Sequence, residues 1–86
     1  MRQVDLTIKS AEGLHARPAF KLVERASKFK AEINVIKDNK SFSAKSILSI
    51  LSMGAVQGEK ITITIDGVDE SEAMNALQML IIEECV

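Results

Sequence analysis

The chain has 86 residues, with 11 Lys and Arg against 12 Asp and Glu and a formal net charge of −1. That balance gives no reason to expect a nucleic acid or an anionic membrane as partner, and 47% apolar with 27% charged residues is a globular, not a disordered, composition. A chain this short buries roughly 60–65% of its unfolded surface, enough for one core but not for a large internal cavity, so chemistry is expected on the surface of a single domain over residues 1–86.

Val4, Leu6 and Ile8 alternate with polar residues and predict a half-buried strand. Gly13 marks a turn. Ala19, Leu22, Val23 and Ala26 recur at helical spacing, predicting a helix from His15 or Ala16 to about Phe29. Pro18 fits only its first turn. Ile33 and Val35, with Ala31 in phase, form a second strand. Asp38-Asn39 is a turn signal, and Phe42 and Ala44 complete a hairpin. Ser46 is the N-cap of a short helix holding Ile47, Leu48, Ile50 and Leu51, which Gly54 stops. Four apolar positions exceed one buried stripe, so one or two face solvent. Ile61, Ile63 and Ile65 alternate with Thr62 and Thr64 in the clearest strand. Asp69 and Glu72 form a capping-box-like pair before a final helix with Ala73, Leu77, Leu80 and Ile81 along one face. The order is βαββαβα: an α+β layer with helices on one face of a sheet whose other face is wet.

The lone Cys85 cannot form an intrachain disulfide, and one Cys with one His offers no metal framework. A reduced, cytoplasmic chain is expected. No apolar run approaches the roughly 20 residues of a membrane span, and the first ten residues lack the apolar stretch of a signal peptide.

One stretch combines a nucleophile, a cation and a helix start: Gly13-Leu14-His15-Ala16-Arg17-Pro18-Ala19. His15 is the single histidine. The backbone N–H groups of Ala16 and Arg17 open a helix and have no intrahelical acceptor, which makes an anion site. The Arg17 guanidinium suits phosphate oxygens. A neutral imidazole here could attack a phosphoryl group, hold it on a ring nitrogen and pass it on. No phosphate-binding G-x-x-x-x-G-K-[ST] sequence accompanies it, so the site cannot activate ATP by itself. The bland alternative is a histidine that merely caps a helix.

Residues 13–19 resemble the active-site motif of the HPr family, the histidine-containing phosphocarriers of the bacterial phosphoenolpyruvate:sugar phosphotransferase system. Lys45-Ser46-Ile47-Leu48 and Leu51-Ser52-Met53-Gly54 resemble that family's second signature, and the likeness spans essentially the whole chain. The resemblance implies an open-faced sandwich, a four-stranded antiparallel sheet covered on one face by three helices. It also implies that His15 accepts phosphate at Nδ1 from phosphorylated enzyme I and donates it to enzyme IIA, with Arg17 orienting the group. No cofactor or metal is called for. In many Gram-positive relatives the serine equivalent to Ser46 is phosphorylated by an HPr kinase/phosphorylase, and the product binds a catabolite-control repressor. Phe20, Ile47, Leu48 and Leu51 are candidates for a docking patch beside His15, with Leu48 and Leu51 nearest it. Glu24 and Ser49 depart from common residues of the partner-facing surface.

Two related readings use the same features. A carrier in a nitrogen-related phosphorelay would use His15 with a different enzyme I. A purely regulatory relative would act through phosphorylated Ser46, although known non-carriers of this kind lack the histidine. An RNA-recognition module shares the βαββαβ core, but three Phe with no Trp or Tyr leave few surfaces for stacking.

Charge is unevenly spread. Residues 1–45 hold ten basic and five acidic side chains, and residues 46–86 hold one and seven. Either the halves interleave in the fold, or a basic surface around His15 faces an acidic partner while the acidic last helix lies elsewhere. A monomer is expected, since no heptad or long apolar edge demands a dimer.

Overall fold

A computed structural model describes residues 1–84, so Cys85 and the disulfide question lie outside it. The elements are β1 (Arg2–Thr7), α1 (Ala16–Ala26), β2 (Glu32–Lys37), β3 (Lys40–Ser43), α2 (Ile47–Met53), β4 (Lys60–Asp66) and α3 (Glu70–Glu83). This is the βαββαβα order read from the sequence. The strands form one antiparallel sheet in the order β1-β4-β2-β3.

Period-two alternation sets the register. Val4 pairs with Ile63, Ile63 with Val35, and Val35 with Phe42, so one apolar row crosses all four strands. The helices cover this side, and Ile33, Val35, Ile63 and Ile65 are buried beneath them. Each such side chain contributes roughly 1.5–3 kcal/mol by leaving water. On the other side Asp5 pairs with Thr62, and the Thr62 hydroxyl donates to Asp5 Oδ1 at 2.7 Å. That face carries polar side chains, with Asn34, Thr62 and Thr64 half-buried, and one half-buried apolar residue, Ile36. Asp38 and Asn39 both take positive φ, 52° and 65°, and form a two-residue loop that closes the Lys37–Lys40 pair. No helix among the described residues is long and apolar enough to cross a membrane.

Helix α1 buries Pro18, Ala19, Leu22 and Ala26 and packs against both α3 and α2. Arg25 ties it to α3: one guanidinium nitrogen donates to the Ala76 carbonyl at 3.4 Å, the other to Glu83 Oε1 at 2.9 Å. The helix ends at Ala26, short of the expected Phe29. The N–H groups of Lys28 and Phe29 bond back only three residues, to Arg25 and Ala26, which tightens the last turn. The next two, of Lys30 and Ala31, donate to Asp69 Oδ2 and Oδ1, both at 2.8 Å. A carboxylate from the far end of the chain thus takes the donors that would have continued the helix.

The same contact corrects the capping box expected of Asp69 and Glu72. Asp69 is the N-cap residue of α3, and its carbonyl accepts from the Ala73 N–H at 3.0 Å, but its side chain makes no cap bond. Glu70 reaches back instead, accepting from the Gly67 N–H at 3.2 Å. The Lys30 N–H holds the Asp69 carboxyl below its ordinary range and the Ala31 N–H adds to this, against an opposing contribution from desolvation.

Candidate functional site

The turn between β1 and α1 is fixed by backbone bonds. The Gly13 N–H donates to the Ser10 carbonyl and the Leu14 N–H to the Ala55 carbonyl, both at 2.9 Å. Gly13 has φ +69°, and a Cβ there would lie 2.6 Å from the Ala55 carbonyl oxygen. Only glycine meets both demands. Leu14 is buried as an anchor, and the next residue, His15, emerges at the N-cap of α1.

His15 has extended backbone (φ −83°, ψ −174°) and its side chain makes no cap hydrogen bond. The capping alternative therefore fails: the helix does not use the imidazole. The ring is 40% exposed, with Nε2 3.7 Å from Glu12 Oε2. Ala16, Arg17 and Pro18 form the first helical turn. Pro18 has no N–H, so the free donors at this end belong to Ala16 and Arg17, and no acidic residue in the turn competes for them.

Arg17 is 75% exposed, yet its Nε lies 3.5 Å from Oε1 of Glu84, a side chain only 14% exposed. The end of α3 thus returns to the start of α1, and His15, Arg17, Pro18, Glu12, Glu83 and Glu84 line one open groove. This overturns the separation of a basic surface from an acidic last helix. Glu83 in its last turn and Glu84 at its C-cap pair with Arg25 and Arg17 of α1. Glu12 and Glu84 were not singled out in the sequence. One signal was present for the second: two consecutive glutamates at a helix C-terminus, with no basic residue in its last turn, oppose the dipole and need cations from another element.

Ser46 is the N-cap of α2 as expected, its Oγ accepting from the Ser49 N–H at 3.3 Å. Gly54 ends the helix in the left-handed conformation. Ile50 and Met53 are buried and Ile47 packs partly against the core, while Leu48 (77%) and Leu51 (42%) are exposed. Phe20 on the neighbouring α1 is 59% exposed. Val56, just beyond α2, is exposed as well. Among the described residues no group of three or more His, Cys, Asp or Glu could hold a metal ion.

A family model described as "PTS HPr component phosphorylation site" matches residues 2–83. The chain is 40% identical over 83 residues to the phosphocarrier protein HPr of Buchnera aphidicola subsp. Acyrthosiphon pisum, covering 96% of this chain and 98% of the relative. Among solved structures, the histidine-containing phosphocarrier protein of Mycoplasma superposes with a TM-score of 0.94 at 36% identity, over 96% of this chain and 94% of the other. HPr-C-His from Thermoanaerobacter tengcongensis gives 0.88 at 49% identity, over 94% and 91%.

Proposed function

The chain belongs to the HPr family of phosphotransferase-system phosphocarriers, and on that premise we propose that His15 receives a phosphoryl group from phosphorylated enzyme I and delivers it to enzyme IIA. The observation that carries this reading is an imidazole left unused by its own helix, exposed beside Arg17 at the opening of α1. The Nδ1 lone pair forms the bond to phosphorus. The donor's bond to phosphorus breaks, and its electron pair leaves with the donor. Delivery to enzyme IIA is the reverse. Such transfers depend on positioning and electrostatics more than on covalent help from the protein. The N–H groups of Ala16 and Arg17 and the dipole of α1 receive the phosphoryl oxygens. Arg17 swings from Glu84 to join them, so a resting ion pair is exchanged for a phosphate contact.

On this reading the protein is a carrier and no enzyme, a monomer working in the cytoplasm without a cofactor. Phe20, Leu48, Leu51 and part of Ile47 form its docking patch. Ser46 is the regulatory site: a phosphate there adds about −1.5 to −2 charge at the start of α2, beside that patch, and repels an acidic enzyme I. The phosphorylated form is the one that a catabolite-control repressor would bind, and an HPr kinase/phosphorylase would make it.

The test is incubation with enzyme I and phosphoenolpyruvate, followed by intact mass. A single acid-labile phosphate on the wild type and none on His15→Ala is expected. No gain, or an equal gain in the variant, would overturn the proposal.

A further inference from the structure

The loop before α1 holds a carboxylate that the transfer chemistry above leaves unused. Glu12 Oε2 stands 3.7 Å from His15 Nε2. Its backbone is anchored: the Glu12 N–H donates to Ser10 Oγ at 3.3 Å, and the following N–H, of Gly13, to the Ser10 carbonyl at 2.9 Å. The carboxylate therefore springs from a fixed turn, three residues from the ring it faces.

The two nitrogens of a neutral imidazole differ, and the one that keeps the hydrogen is set by what each faces. A carboxylate only accepts. Beside Nε2 it favours the form with hydrogen on Nε2 and the lone pair on Nδ1. Arg17 and Glu84, also in the groove, are engaged with each other. Asp5, Lys9, Lys60 and Glu83 line its remainder.

We propose that Glu12 is a positioning residue: it holds the hydrogen of His15 on Nε2, which presents Nδ1 to the phosphoryl group, and it offsets the positive charge the ring acquires on transfer. As the bond from Nδ1 to phosphorus forms, the donor's bond to phosphorus breaks with its electron pair. Nε2 keeps its hydrogen throughout, so the ring becomes cationic 3.7 Å from the carboxylate. This role rests on the carrier reading of His15, but the tautomer can be read without any transfer.

The experiment is ¹⁵N spectroscopy of the His15 ring, at a pH where it is neutral, in the wild type, Glu12→Ala and Glu12→Gln. The wild type should carry hydrogen on Nε2. The alanine variant should lower the Nε2–H to Nδ1–H ratio by about twofold, the size of a weak polar contact at an exposed site. The glutamine variant, whose amide oxygen still accepts, should recover most of that loss. Equal ratios in all three proteins, or a wild-type ring bearing hydrogen on Nδ1, would overturn the role of Glu12. Transfer from enzyme I should slow in Glu12→Ala by a similar factor, with an unchanged denaturation midpoint. A wild type that takes no phosphate overturns the carrier reading instead, and the ring spectra still decide the role of Glu12.

Discussion

Arg17 is already occupied: its Nε lies 3.5 Å from Glu84 Oε1, at the far end of the chain. Glu84→Gln should free the guanidinium and speed transfer from enzyme I by up to about fivefold, the value of an exposed pair. The same variant should steepen the salt dependence, because it unmasks a cation that steers an acidic partner. Arg17→Ala should slow transfer about 10- to 100-fold, the value of a hydrogen bond to a charged group, about 1.5–3 kcal/mol. Stopped-flow transfer at several salt concentrations checks both.

Gly13→Ala should damage the site through its backbone. The new Cβ would sit 2.6 Å from the Ala55 carbonyl oxygen at φ +69°. A destabilisation of about 2–4 kcal/mol is expected from the conformation and the clash together. Transfer should also fall, because His15 lies two residues on. Urea unfolding alongside the transfer assay measures each part.

Acid should loosen the junction between α1, β2 and α3. The Asp69 carboxyl is held below its ordinary value of 3.8, chiefly by the Lys30 N–H. A carboxyl lowered on folding contributes stability that is fully present above its unfolded value and is lost as pH falls through the folded value. Glu59 and Glu70 are lowered too, first by the N–H groups of Val56 and Gly67 respectively. Melting temperature should therefore fall below about pH 4. Asp69→Asn should already melt several degrees lower at neutral pH and show a shallower acid limb.

Ser46 has a cap to lose whether or not it is modified. Ser46→Ala should cost about 0.5–2 kcal/mol with transfer from enzyme I nearly intact. Ser46→Asp should keep the cap and slow transfer, because aspartate also caps and brings charge. Chemical denaturation and transfer rates on both variants separate the two roles.

The exposed and buried residues of α2 should part cleanly. Leu48→Ala, at a site 77% exposed, should leave stability within about 0.5 kcal/mol and raise the KM for enzyme I several-fold. Ile50→Ala, almost fully buried, should cost about 2–5 kcal/mol. A Leu48→Ala protein with unchanged KM would remove this leucine from the docking patch.

Elements governed by local chemistry were legible in advance. The Ile61-Ile63-Ile65 alternation, the Asp38-Asn39 turn, the Ser46 cap and the Gly54 stop all follow from neighbouring residues. What escaped was set across the chain. Just past the end of α1, the Lys30 and Ala31 donors go to Asp69, 39 and 38 positions away, a partner no local pattern announces. The centre of the site showed in residues 13–19, where turn, nucleophile and helix start are contiguous. Its carboxylate rim did not, because nothing local ties Glu84 to Arg17, and Glu12 became informative only once the turn had folded beside His15.

The pairing of β1 with β4 bears on biosynthesis. The strand that leads into the His15 turn finds its hydrogen-bonding neighbour only in residues 60–66, and the Ala55 carbonyl that pins Leu14 comes nearly as late. On the ribosome, the histidine emerges long before the scaffold that aims it. On the proposed role of His15, a chain arrested before β4 would carry the imidazole without the geometry and would take no phosphate until most of its length is made.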